Sequence, residues 1–223
     1  MMRLVLGAVA LLAASQIALA EEPRQRVMNV PLDMPLEESL DGEFLEGIYE
    51  EDLHDVLKDS VLIEAPIQHI ESHFTENRTL ALWFSSQEDG RRVFWAHLTQ
   101  SFEGKDMKPQ AALTNFEATY GKPDKTAQVK GELSSYWILL KLDPRLGDQR
   151  RATILKQLDA SFNPTPEQVA DFGLSDMRDR VKLLTPDFRG AVLFLTAFKG
   201  KVGSMQTDLI DMVRAQSVLN LTP

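Results

Sequence analysis

The chain of 223 residues contains no cysteine. It can form no disulfide, offer no thiolate nucleophile and bear no acylated cysteine of the bacterial lipoprotein kind. Its stability must come from an ordinary hydrophobic core, and about 200 residues are enough to build one. Long apolar runs are missing as well. Those at 80–84, 137–140 and 191–198 are of strand length, whereas a membrane helix needs roughly 20 apolar residues. Positive charge is scarce: 24 Lys and Arg face 33 Asp and Glu, a net charge of −9. Nucleic acid and anionic lipid are bound by clustered Lys and Arg. No nucleic-acid partner and no integral membrane segment in the mature chain are therefore expected.

The first twenty residues have the form of a secretory signal. Arg3 is their one charge, an apolar run follows at 4–12, and small residues lead to Ala18-Leu19-Ala20. Cleavage after Ala20 would leave 203 residues, and loss of one positive charge would take the net charge from −9 to −10. A periplasmic or secreted location is expected. Lack of cysteine fits a bacterial periplasm better than an animal extracellular fluid.

Three regions then stand out. Residues 21–35 hold Pro23, Pro31 and Pro35 and read as an extended leader. Residues 36–59 are acidic, with Leu36, Leu40, Phe44, Ile48, Leu53, Val56 and Leu57 at helical spacing. This helical arm is either a cation- or partner-binding element or, more plainly, a solvated helix face. Residues 61–223 read as a single α+β domain. Strands are expected at 67–74, 80–85 and 92–100, the last two joined by a hairpin turn at Asp89-Gly90. A helix is expected at 109–120, opened by Pro109 and stopped by Gly121 and Pro123. A strand follows at 135–142 and a helix from Asp148 to about 159. Thr165-Pro166-Glu167-Gln168 has the form of a capping box for another helix, and Ser175 can cap a further one. The apolar run 190–198 reads as a central strand covered on both faces. After Gly200 and Gly203 a last helix is expected, with Met205, Leu209, Met212, Gln216 and Leu219 on one stripe and Ser204 as its cap. Strands that come in hairpins favour α+β with a mostly antiparallel sheet and helices on at least one face.

The segment 107–123, ending in Tyr120-Gly121-Lys122-Pro123, resembles the helix–Gly–x–Pro unit of small secreted envelope domains of Gram-negative bacteria. The small lipoprotein of the outer-membrane assembly machine and the β-lactamase-inhibitor-like folds are among these. The resemblance implies helix-on-sheet packing and a binding or scaffolding role. It points to no specific family and transfers no functional residue.

Chemistry is thinly marked. There are four histidines, and His69-Ile-Glu-Ser-His73 has a spacing that puts both rings on one face of a helix or a strand, with Glu71 between them in a strand. His69, His73 and Glu71 are the candidate metal ligands, short of the third or fourth good donor zinc requires. The plainer reading is a pair of surface histidines. His97, beside Trp95, reads as a packed or edge histidine. No G-x-S-x-G, HExxH, phosphate-binding loop or dinucleotide fingerprint occurs, and no cofactor is expected. Arg145, Arg150, Arg151 and Lys156 could meet an anion but read more simply as an exposed helix side balanced by Asp143 and Asp148.

Two function classes follow. The first is a non-catalytic envelope protein that binds another protein or an envelope component through a sheet edge or the acidic arm. On that reading, deletion of 21–59 weakens partner capture and leaves a folded remainder. The second is a secreted hydrolase, metal-dependent or not, with a site assembled around His69, Glu71, His73 and His97. A small-molecule carrier, resting on Trp83, Trp95, Tyr136 and Trp137, is a weaker third.

Overall fold

The computed structural model describes residues 24–39, 68–171 and 183–219, except 29, 76 and 87. The signal segment, most of the acidic arm and the helix expected from Ser175 lie outside these residues. Within them the order is β1 (Arg26–Val27), β2 (Val30–Pro31), α1 (Leu36–Ser39), β3 (Gln68–Thr75), β4 (Arg78–Phe84), β5 (Val93–Ser101), α2 (Pro109–Tyr120), β6 (Lys125–Lys130), β7 (Ser134–Leu142), α3 (Asp148–Ser161), α4 (Pro166–Asp171), β8 (Arg189–Phe198), β9 (Lys201–Asp211) and α5 (Met212–Leu219).

Seven strands form one antiparallel sheet in the order β3-β4-β5-β9-β8-β7-β6. Two meanders build it. The first runs β3-β4-β5. Then α2 carries the chain to the far edge, and β6-β7-β8-β9 returns inward until β9 docks beside β5. β1 and β2 form a separate small pair. The fold is α+β, as the order of elements predicts.

Strand alternation gives the sheet two buried faces. One carries Leu80, Leu82, Leu98, Leu139, Leu193 and Leu209 and is covered by Ala112 and Phe116 of α2 and by Val27, Val30, Leu32 and Met34. The other carries Trp95, Ile138, Leu140, Val192, Phe194 and Ile210 beneath Ile154 and Leu158 of α3, Val169 of α4 and Met212 and Ala215 of α5. β8, with Leu193 and Leu195 on one face and Val192 and Phe194 on the other, is all but continuously apolar because helices cover it on both sides. A register shift between Trp83 and Phe84 sets Trp83 opposite Trp95 but Phe84 opposite Val93. Phe94 is thereby the extra residue of a bulge and joins Trp95 in the same core.

The segment after Gly200 departs from expectation. Residues 201–211 are not helical; they form β9, the middle strand of the sheet, and only 212–219 are helical. Lys199 and Gly200, with φ of 49° and 74°, form the two-residue turn that folds β9 back on β8. Ser204 accordingly caps nothing: its hydroxyl lies 2.7 Å from Thr196 Oγ1 on the neighbouring strand. The helix expected from Asp148 is present, but Gly147 takes the cap position without a side-chain bond. The capping box at α4 forms as read, with Gln168 Oε1 accepting from Thr165 N at 2.8 Å and Thr165 Oγ1 accepting from Gln168 N at 3.2 Å.

The leader, where described, belongs to the core. Val27 and Val30 are wholly buried. Asp33 N donates to Val93 O at 3.0 Å and Val93 N to Met34 O at 2.8 Å, so residues 33–36 run hydrogen-bonded along the start of β5.

Candidate binding site

α2 touches the sheet over β8 and β9, and β1 lies against β5 and β9. Between these two covers an open groove of about 440 Å³ remains. Arg26 and Met28 form one wall. The α2 residues Asn115, Phe116, Thr119 and Tyr120 form the other, and Leu98, Leu193 and Met205 lie in the lining from the sheet. The helix is placed there by its sequence: Ala112 and Phe116, four apart, are buried, while Asn115 and Thr119 are exposed. Gly121, with φ of 86°, ends it, and its N–H donates to Glu117 O at 2.8 Å. Tyr120 Oη donates to Arg26 O at 2.7 Å and pins the two walls together. Burial pushes that phenol above its ordinary pKa, so it stays protonated as the donor.

The charge of the groove is opposite to that of the chain. Arg26 and Arg78 line it, and no Asp or Glu does, although acidic residues outnumber basic ones 33 to 24 overall. Arg78 stands opposite Gln100 in the β4–β5 register. With the amide oxygen of Gln100 turned toward it, that oxygen accepts from Arg78 Nη2 at 2.9 Å and Nε at 3.2 Å. Among the described residues no carboxylate pairs with Arg26 or Arg78. In contrast, Arg145 meets Asp143, Arg151 meets Asp124, and Arg189 meets Asp33, Asp143 and Asp211.

On the other face, polar groups of β5 and β9 meet at one point. Asp208 Oδ1 accepts from Trp95 Nε1 at 2.6 Å and from His97 Nδ1 at 2.7 Å, and His97 Nε2 lies 2.9 Å from Thr99 Oγ1. A carboxylate can only accept, so Nδ1 donates to Asp208. Asp208 is 2% exposed. The rings of Trp83 and Trp95 are 5.7 Å apart, with Trp83 6.4 Å from His97. His97 is thus a packed histidine in an interior strand.

The sequence-derived ligands sit on the edge strand β3, two strands out from β5. The β3–β4 register places His69 opposite Trp83, Glu71 opposite Ala81 and His73 opposite Thr79. The β4–β5 register continues these rows to Trp95, His97 and Thr99. All of these positions share one sheet face, because directly paired residues do. Four residues of strand put the backbone positions of His69 and His73 about 13 Å apart. Side chains of β3 lie outside the description, and among the described residues no group of three or more His, Asp or Glu could hold a metal ion. His54 is outside the described residues too.

Of the basic cluster, Arg145 and Arg151 are committed to ion pairs rather than to solvent. Arg145 binds Asp143 through Nε at 3.1 Å and Nη2 at 2.8 Å, and Arg151 Nη2 donates to Asp124 Oδ1 at 2.5 Å. The aromatics of the carrier reading separate: Trp83 and Trp95 pack together, while Trp137 is buried on the opposite face. Sequence reasoning missed the groove because Arg26, Arg78 and Gln100 carry no motif and meet only through tertiary packing. Asp208 was missed because its segment read as helix. No protein-family model, no curated protein and no solved structure matches this chain.

Proposed function

We propose that this is an exported, non-catalytic binding module of the bacterial envelope that holds an envelope component in the groove between α2 and the sheet. The observation that carries the reading is the groove itself: a concave lining in which apolar side chains alternate with polar ones, of the size small ligands occupy. The signal-like N-terminus and the helix–Gly–x–Pro unit support the export and envelope parts of the reading. The test is photocross-linking in intact cells, with the probe placed in turn at Asn115 and Thr119 in the groove and at Thr153 on the exposed side of α3. An adduct formed from the groove positions alone and identified by mass spectrometry supports the reading. Adducts from Thr153 alone, or none, overturn it.

A hydrolase built around His69, Glu71, His73 and His97 is the second reading. It is favoured by the Asp208–His97–Thr99 chain, since a carboxylate, an imidazole and a hydroxyl in series are the parts that activate a nucleophile. One fact favours the first reading over it. The Asp208 carboxylate also serves the Trp95 indole, as a buried carboxylate in a packed core does. Melting the mature protein with zinc and with chelator tests the metal-dependent form. A stoichiometric ion with a raised Tm would establish a site; no bound ion and no shift would remove it.

A further inference from the structure

The binding-module reading leaves the chemistry of the ligand open, and the groove narrows it. Three features act together. One strip of the lining is apolar, along Met28, Leu98, Phe116 and Met205. Its charged groups are arginines alone, in a chain that is strongly acidic. Arg78 is the better placed of the two: Gln100 takes its Nε and one hydrogen of Nη2, and among the described residues its Nη1 has no hydrogen-bond partner. A guanidinium tied on one edge by a neutral amide keeps its full positive charge and a defined orientation, which is what a carboxylate needs in order to be held by charge-assisted hydrogen bonds.

We propose that the groove binds a medium-chain carboxylic acid, its carboxylate on Arg78 and its acyl chain along the apolar lining beside Phe116. The charge excludes cations and disfavours neutral amphiphiles. The apolar lining disfavours small hydrophilic anions, which gain nothing from it. The walls are joined by the Tyr120–Arg26 bond, so the groove is formed before the ligand arrives and little is lost to ordering on binding.

The test is titration calorimetry on the whole mature protein with three probes: decanoate below its aggregation concentration, decanol and acetate. Decanoate is expected to bind at one site, at least tenfold tighter than either of the others. Arg78→Gln is expected to weaken decanoate at least tenfold and to leave decanol unchanged. Asn115→Trp, an exposed helix position at the groove wall, is expected to abolish binding while leaving Tm within a few degrees. Equal binding of decanoate and decanol, or an Arg78→Gln variant that binds decanoate as well as the parent, would overturn the proposal. If decanoate fails but the groove positions still cross-link in cells, the ligand class is wrong and the binding module stands. If both fail, the module reading falls with it.

Discussion

A single carboxylate shows how much one residue controls here. Asp208 lies in the middle strand, and two N–H donors from β5 converge on one of its oxygens. A buried donor stripped of its acceptor costs about 1–3 kcal/mol. Asp208→Ala should therefore destabilise the protein by roughly 2–4 kcal/mol, since Trp95 Nε1 and His97 Nδ1 both lose this acceptor. Asp208→Asn keeps a carbonyl acceptor and should cost less. Urea midpoints of the two variants check this, and a loss under about 0.5 kcal/mol for the alanine variant would show that the cluster contributes little. None of this was legible from the residues. His97 and Trp95, two apart, could be read as sharing a face of one strand, but Asp208 is 111 residues from His97. The pairing depends on β9 docking against β5, which only the folded topology supplies.

Elements whose signals are local could be read, and those whose signals are tertiary could not. The hairpin at Asp89-Gly90, the helix between Pro109 and Gly121 and the capping box at Thr165 each rest on a few neighbouring residues. β9 was misread because Met205, Leu209 and Met212 fall at helical spacing, whereas the residues that decide its state are Lys199 and Gly200 in the preceding turn. β6 escaped because Lys125–Lys130 is a short edge strand with alternate residues exposed. For the leader, the extended path was legible and its burial was not. Prolines at 23, 31 and 35 suit an extended path, but an extended path can lie across a core as well as in water. Val27, Val30, Leu32 and Met34 bury themselves on the α2 face. Deleting 21–59 should now unfold the domain, the reverse of the sequence-based expectation. The sharper probe is Val30→Asp, which puts an unpaired charge at a wholly buried position and should cost at least about 3 kcal/mol. A cooperative melt near that of the parent would mean that the leader is dispensable.

At the scale of the whole molecule, the leader and the two sheet faces are tied by one ion network at the end of the sheet. Arg189 at the start of β8 meets Asp143 at 3.0 Å, Asp211 at 2.6 Å and Asp33 of the leader. Arg145 holds Asp143, Arg214 of α5 reaches Asp33, and Arg214 also pairs with Asp89 of the β4–β5 turn at 2.8 Å. Burial alone would raise the pKa of Asp33 and of Asp143. The arginines outweigh it: Arg189 and Arg214 hold Asp33, and Arg145 and Arg189 hold Asp143, below the ordinary value of 3.8. The same contacts, against a burial effect that opposes them, raise the pKa of Arg189, so it stays charged throughout. A carboxylate whose pKa is lower in the fold than in the unfolded chain contributes stability that is whole above the unfolded value and drains away as pH falls through the folded one. Urea stability should thus be flat from pH 7 to about 5 and fall steeply below about 4. Arg189→Leu removes the cation that, among the described residues, pairs with all three aspartates. It should cost about 3–5 kcal/mol at pH 7, because Asp143 and Asp211 remain buried with weakened compensation. With Arg189 no longer holding down the pKa values of Asp33 and Asp143, the acid transition should begin at higher pH than in the parent. A variant with an unchanged pH profile would show that the network is ornamental, and that the leader is held by Val27 and Val30 alone.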